Sequence, residues 1–276
     1  SMLVKTGLED TDIIFTDKDV EDFNLNGTSY LKVVSLPQNG SLLYDHVKPS
    51  PDHEFTPVQL SEGQEVHVSV LLSGIMLYRP ETNFSGTVSF LWRANKNGVW
   101  TDDDMVKLIV YPVNDAPVIG NINMSGTEDT NINFQMTDFS SVFNDVDGDL
   151  LNKIKITGLP DNTLGSLVVN NNPFIVNTEI SPTEIATLTF KPQKDKSGRT
   201  EFLWNAFDGE SWTQSAGKCT LDIAPIGDTP ISQSYVTLED TATSPIFITR
   251  NAMDGDEILY FKISNIQNGK LFVDGN

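Results

Sequence analysis

Ser89-Phe-Leu-Trp-Arg-Ala-Asn95 and Glu201-Phe-Leu-Trp-Asn-Ala-Phe207 match at a constant offset of 112 residues. That recurrence decides how the chain is read, because self-similarity at a fixed period marks a repeated structural unit. The offset holds without a gap from Pro80 to Pro192, from Ser85-Gly86 to Ser197-Gly198, and from Trp100-Thr101 to Trp212-Thr213. Glu-Asp-Thr recurs at Glu9, Glu128 and Glu239, and an Asp-x-Pro linker recurs at Asp115-Ala-Pro117 and Asp228-Thr-Pro230. The spacing defines repeat one as residues 1–113, repeat two as 114–225, and 226–276 as an incomplete third repeat.

Each repeat is a series of short alternating apolar runs bounded by Gly, Asn and Pro, which is the pattern of half-buried strands. Examples are Val66-His-Val-Ser-Val70, Thr87-Val-Ser-Phe-Leu91, Lys107-Leu-Ile-Val110, Ile154-Lys-Ile156 and Thr187-Leu-Thr-Phe190. No helical period is sustained. Asn39-Gly40 between apolar strands predicts a type I′ hairpin turn, whose two central residues need positive φ. About seven strands per repeat with turns every 8 to 12 residues predicts an all-β chain of tandem immunoglobulin-like Greek-key sandwiches arranged end to end. Trp92 and Trp204 are the expected core aromatics. In the third repeat Ile266-Gln-Asn-Gly-Lys-Leu-Phe272 echoes the hairpin Leu36-Pro-Gln-Asn-Gly-Ser-Leu-Leu43. Half a sandwich leaves strand edges and an apolar face uncovered, so this part is expected to be frayed or docked on something.

Composition narrows the function. Hydrophobic residues make up 38% and charged residues 20%, which predicts a folded chain and not a disordered one. With 38 acidic against 18 basic residues the formal charge is −20, a sign that argues against nucleic acid as a partner. The one cysteine, Cys219, allows neither an intrachain disulfide nor a cysteine-based zinc site, and its alternating context reads as a core strand. No signal peptide precedes Leu3, and Ser1-Met2 reads as a remnant of expression, so any membrane anchor is expected outside this stretch.

The carboxylates are clustered. Repeat two carries Asn144-Asp-Val-Asp-Gly-Asp149 and repeat three Met253-Asp-Gly-Asp256, each just before a strand. Carboxylates at i and i+2 on an irregular loop can converge on one hard cation, since calcium takes six to eight oxygens at flexible angles. An EF-hand would need Gly and Glu at the sixth and twelfth positions from Asp145, where Leu150 and Ile156 stand. The other reading of these residues is that Asp and Asn cap turns through their own backbone.

The string Val113-Asn-Asp-Ala-Pro-Val118, the Glu-Asp-Thr start, the Asp-x-Asp-Gly-Asp loop, the Leu-Pro-x-x-Gly-x-Leu hairpin and the Phe207-Asp-Gly209 turn together resemble cadherin-like tandem repeats. These are also called tandem-95 repeats, of large surface adhesins. The resemblance implies an extracellular, cell-surface adhesion segment in which Ca2+ at the junctions makes a flexible tandem rigid. It implies a first junction of Glu9, Glu81 or Asn83, Asn114 through its carbonyl, Asp115, Asp145, Asp147 and Asp208. It implies a second, weaker junction of Glu128, Asp195, Asp228, Asp254 and Asp256, where Gly227 replaces the linker Asn and Ala252 stands opposite Asp145. Above repeat one no site is expected, because Asn24 and Asn26 replace aspartates there and Lys96 aligns with Asp208.

The chain is not expected to be an enzyme: it lacks a nucleophile elbow, a phosphate-binding glycine loop and a zinc-protease helix. His46, His53 and His67 stand in no zinc or nucleophile context and read as surface or strand residues. Glycoside hydrolysis by an Asp pair is the enzymatic rival, but acidic loops that recur at repeat boundaries argue against a single catalytic pair. The second reading is a carbohydrate-binding module, with Trp100 and Trp212 stacking on sugar rings. Both indoles exposed and coplanar on one face would favour it, and burial would end it. The implied partners are other surface proteins or glycans. Asn26-Gly-Thr28, Asn83-Phe-Ser85 and Asn123-Met-Ser125 are glycan acceptors in a host that makes them.

Overall fold

Leu3, Val106, Leu108 and Val110 alternate with solvent-facing neighbours, and in the computed structural model, which describes residues 2–47 and 50–273, they pave one wall of a sandwich. Ser1 lies outside the described residues. The chain divides into two units, Ser1–Asp115 and Ala116–Asn276. Among the described residues no helix is long and apolar enough to cross a membrane.

The first unit contains β1 (Met2–Leu8), β2 (Ile13–Phe15), β3 (Thr28–Ser35), β4 (Gly40–Tyr44) and β5 (Val58–Gln59). It continues with β6 (Glu65–His67), β7 (Met76–Pro80), β8 (Gly86–Lys96), β9 (Val99–Trp100) and β10 (Asp104–Tyr111). One sheet runs β1-β10-β8-β3-β6 with β9 on β8, and the facing sheet runs β2-β7-β4-β5. Among the described residues of this unit only β1 pairs in parallel, in register from Met2 opposite Met105 to Leu8 opposite Tyr111.

The second unit repeats the plan with β11 (Val118–Ile119), β12 (Ile122–Thr127), β13 (Ile132–Asn133), β14 (Phe143–Asn144), β15 (Lys153–Gly158) and β16 (Gly165–Val169). After them come β17 (Asn172–Pro173), β18 (Glu179–Ile180), β19 (Thr189–Pro192), β20 (Gly198–Phe207) and β21 (Gly217–Ala224). Here the two large sheets are β12-β21-β20-β15-β18 and β13-β19-β16-β17, with β11 paired to β14 beside them, and β12 is again parallel to the last long strand, β21.

Both expected core tryptophans are fully buried. Trp92 meets Phe90 edge-on at 5.6 Å between ring centroids, and Trp204 meets Phe139 at 5.0 Å, the geometry that the ring quadrupoles favour. Cys219 is a buried strand residue, and burial, followed by the charge of Asp138, pushes its thiol up to about 12.

Four local expectations change. In Thr187–Phe190 the strand β19 begins only at Thr189, because Thr187 N still donates to Glu184 O at 2.8 Å and closes the helical turn Pro182–Ile185. Val66–Val70 is not one strand: β6 ends at His67 and a helical turn, Ser69–Leu72, follows. Val68, Val70 and Leu71 are all buried, so the apolar spacing satisfies both periods over so short a run. His67 Nδ1 accepts the Ser69 N–H at 3.2 Å and favours the turn. At Asn39-Gly40 only Asn39 is left-handed (φ 53°), while Gly40 at φ 159° already begins β4, so the turn is not type I′. Its glycine serves close approach, since a Cβ there would strike the Arg79 carbonyl, and the Tyr78 hydroxyl donates to Asn39 O at 2.8 Å. In the third repeat β22 (Ile231–Ser232) pairs with β23 (Ile248–Thr249), and residues 266–272 form no strand. Val236 is 96% and Tyr260 88% exposed, so the segment buries too little apolar surface to extend this two-stranded pair.

Between β4 and β5 the chain makes an excursion that repeat two lacks, anchored on the fully buried Asp45. Its Oδ1 accepts the Val47 N–H at 3.0 Å, and its Oδ2 accepts the Thr56 N–H at 2.8 Å and meets His53 Nε2 at 3.1 Å. The Thr56 bond first, then that of Val47, hold the Asp45 carboxyl down to about 2 against an ordinary 3.8, with His53 adding to them. A depressed carboxyl stabilises the fold above its unfolded pKa and loses that contribution as pH falls through the folded one. Asp45→Asn is therefore expected to unfold at lower urea than the wild type at pH 7. The difference should shrink between pH 4 and pH 2. Equal urea midpoints at pH 7 would show that the clamp adds nothing.

Candidate metal centre

Parallel strands leave a sheet at the same end, so the residue after β1 sits beside the residues after β10. Glu9 N donates to Tyr111 O at 2.9 Å, and Val113 N donates to Glu9 Oε1. The second unit repeats both contacts: Glu128 N to Ala224 O at 2.9 Å, and Ile226 N to Glu128 Oε1 at 2.5 Å. Glu9 and Glu128 are only 3% and 6% exposed. Each spends one oxygen on the linker backbone.

The next residue turns left-handed in each case, Asp10 at φ 54° and Asp129 at φ 59°. Asp10 Oδ1 accepts the N–H of Asn83 at 2.8 Å, and Asp129 Oδ1 accepts that of Asp195 at 3.0 Å. Asn83 then places one terminal amide atom 3.1 Å from both Asp10 Oδ2 and Asp115 Oδ2. With nitrogen there, it donates to both carboxylates. With oxygen there, it stands from each carboxylate oxygen at the separation that two ligands 2.3–2.6 Å from a calcium ion would adopt, about 3 Å. Of the alternatives Glu81 and Asn83, then, Asn83 is brought to Asp10 and Asp115. Both residues are exposed, and the charge of Glu81, after burial, helps push the Tyr78 hydroxyl up to about 12. Asn114 lies half-buried with its amide donating to Asp115 O at 3.1 Å.

In the second unit Gly148 at φ 85° lets the acidic loop fold back, and Asp145 Oδ1 accepts the N–H groups of Asp147 (2.9 Å) and Asp149 (3.3 Å). Asp145, Asp147 and Asp149 each offer an oxygen within 4.8 Å of the others. Asp145 Oδ2 is buried and makes no hydrogen bond among the described residues. Asp208 is buried and caps its own turn, its Oδ1 accepting the Glu210 and Ser211 N–H groups at 2.6 Å each.

The second linker lies within this unit. Asp228 N donates to Asp254 Oδ1 at 2.8 Å, while Asp254 Oδ2, on a residue only 8% exposed, makes no hydrogen bond among the described residues. Asp195 is buried through its side chain, with Lys194 Nζ 3.5 Å away. Burial first, then the charges of Asp195, Asp254 and Asp129, raise the Asp228 carboxyl above its ordinary value. Asp256 points to solvent and pairs with Arg250 at 3.3 Å. Residue types and spacing did not single out Asp10 and Asp129. The signal available was the repetition of Glu-Asp-Thr itself, whose third copy also has a left-handed Asp, Asp240 at φ 60°.

Trp100 and Trp212 are half-buried. Lys32 Nζ lies 5.0 Å from the Trp100 ring and Lys155 Nζ 4.2 Å from Trp212, which also packs on Phe207 at 5.0 Å. A lysine stands over each indole and Trp212 packs on a further ring, contacts within the fold that favour a structural role over sugar stacking.

Residues 113–224 match the family described as the cadherin-like domain. Among solved structures, the chain is similar to the protocadherin gammaB4 extracellular domain at 11% identity and TM-score 0.45, covering 90% of this chain and 38% of that one. It is similar to mouse cadherin-23 EC22–24 at 15% identity and TM-score 0.43, covering 90% and 74%. A third match, an endo-fucoidan hydrolase of glycoside hydrolase family 107, has 17% identity, TM-score 0.25 and coverage of 81% of this chain, which spans 27% of that enzyme. No curated protein matches the sequence.

The crowding around Asp228 yields a test of the cluster. Its raised carboxyl means that the ionised form destabilises the fold when no cation is present. Asp228→Asn keeps the backbone N–H to Asp254, so in chelator the variant should melt no lower than the wild type. A clear loss of melting temperature in chelator would show that the Asp228 charge is stabilising.

Proposed function

We propose that this chain, whose residues 113–224 are a cadherin-like domain, is an extracellular segment of a cell-surface adhesion protein that calcium stiffens at its linkers. The observation that carries the reading is the pair of buried, unpartnered carboxylate oxygens, Asp145 Oδ2 and Asp254 Oδ2. A buried carboxylate oxygen left without a hydrogen bond is costly, and such oxygens are ordinarily paired or held by a metal. All-oxygen donor sets of aspartate, glutamate, asparagine and backbone carbonyls suit a hard cation that accepts irregular geometry, as calcium does.

The chain's own residues do the rest. Glu9 and Glu128 fix the start of each linker by its backbone N–H, Asp145 folds the acidic loop on itself, and Asp254 holds Asp228 in place. When bound, calcium replaces repulsion among these carboxylates with attraction. At a Kd of about 10⁻⁵ to 10⁻⁴ M and external calcium of about 1 mM, binding stabilises the folded arrangement by about 1.4–2.7 kcal/mol. That is enough to bias a linker. The role is to project or connect adhesive surfaces, with other surface proteins or glycans as partners and membrane attachment through other parts of the parent protein. The reading assigns the chain no reaction.

A thermal melt in chelator, then with calcium or magnesium restored, is the direct test, alongside the maximum dimension from small-angle scattering. Calcium, and not magnesium, is expected to raise the melting temperature and to give a longer particle. The double substitution Asp145→Ala and Asp147→Ala should remove most of that response. A chain indifferent to calcium would overturn the reading.

A further inference from the structure

We propose that Asp10 and Asp129, the second acidic residue of each Glu-Asp-Thr triplet, are positioning residues that hold Asn83 and Asp195 in place to face calcium at the linkers. The proposal rests on the calcium reading above. An aspartate that merely caps a turn bonds its own backbone two residues on. Asp10 and Asp129 instead accept N–H groups 73 and 66 residues away in sequence. The two separations differ by seven residues, yet the contact is the same. It has survived a change in the length of the intervening chain.

The contact recognises only the backbone, which explains why it serves Asn83 in one repeat and Asp195 in the other. Both recipients are left-handed, at φ 59° and 53°, a conformation that Asn and Asp tolerate better than most residues. The Asp195 side chain is buried, with Lys194 Nζ 3.5 Å from its Oδ2, and its charge is one of those that bear on Asp228. Beside them Asp254 Oδ2 stays buried and unpartnered. In repeat one the grip goes further, because Asn83 spans from Asp10 Oδ2 to Asp115 Oδ2 at 3.1 Å each.

The test compares Asp129→Asn, which keeps an oxygen able to accept the Asp195 N–H, with Asp129→Ala, which does not. Both are titrated with calcium chloride by calorimetry in the full chain carrying Asp145→Ala and Asp147→Ala, so that the second linker reports. Residues that orient metal ligands typically change affinity about 10–100-fold when removed. Asp129→Ala should lose that much, while Asp129→Asn stays within about 3-fold of its parent, and melts in chelator should separate the variants far less than melts in calcium. Equal losses in both variants would mean that the Asp129 charge matters and not its grip, and would overturn the proposal. So would an unchanged affinity in Asp129→Ala. If the unsubstituted chain takes up no calcium at all, the calcium reading fails and this proposal with it.

Discussion

The parallel pairing of the first strand with the last governs the candidate site. An antiparallel partner would bring the end of β1 to the start of β10, far from the linker. Because β1 and β10 run the same way, Glu9 emerges beside Val113, and for the same reason Glu128 emerges beside Ile226. Gly7 and Gly126 make room for this ending, since a Cβ on either would run into Ile13 or Ile132 on the next strand. The acidic residues need no dedicated scaffold beyond the ladder that the sandwich already has.

A division of labour follows within each carboxylate. Glu9, Glu128, Asp10, Asp129, Asp145 and Asp254 each give one oxygen to a backbone N–H. A carboxylate with both oxygens committed in this way would be a cap and nothing more. Asp45 is that case: both its oxygens are engaged and its pKa is depressed. Asp228 shows the opposite electrostatics, crowded by like charges and shifted upward. The same residue type therefore serves as a clamp in one part of the chain and as a repelled ligand candidate in another, and the neighbouring donors decide which.

Much of this was legible in the sequence. The offset between the two Phe-Leu-Trp strings places Trp92 and Trp204 in equivalent cores, and period-two alternation locates most of the long strands. The acidic loop at Asp145 stands out by spacing alone. Contacts set by register were not legible: nothing local links Asp10 to Asn83, and the choice between Glu81 and Asn83 depends on which one the turn before β8 brings to Asp10 and Asp115. The Val66–Val70 strand failed because five residues cannot separate a period of two from a helical turn. The third repeat's hairpin failed because a strand signal needs a sheet to join.

Parallel terminal strands also decide how a repeat bears tension. Force applied through the linkers enters β1 at Met2 and leaves β10 after Tyr111, at opposite ends of the same ladder. The two strands are then dragged lengthwise past each other, and all seven register positions are loaded together instead of being peeled open one at a time. The Glu9 bond to Val113 sits at the point where that load leaves the sheet. The pairing that brings the acidic groups to the linker also arranges each sandwich to resist being pulled apart along the chain.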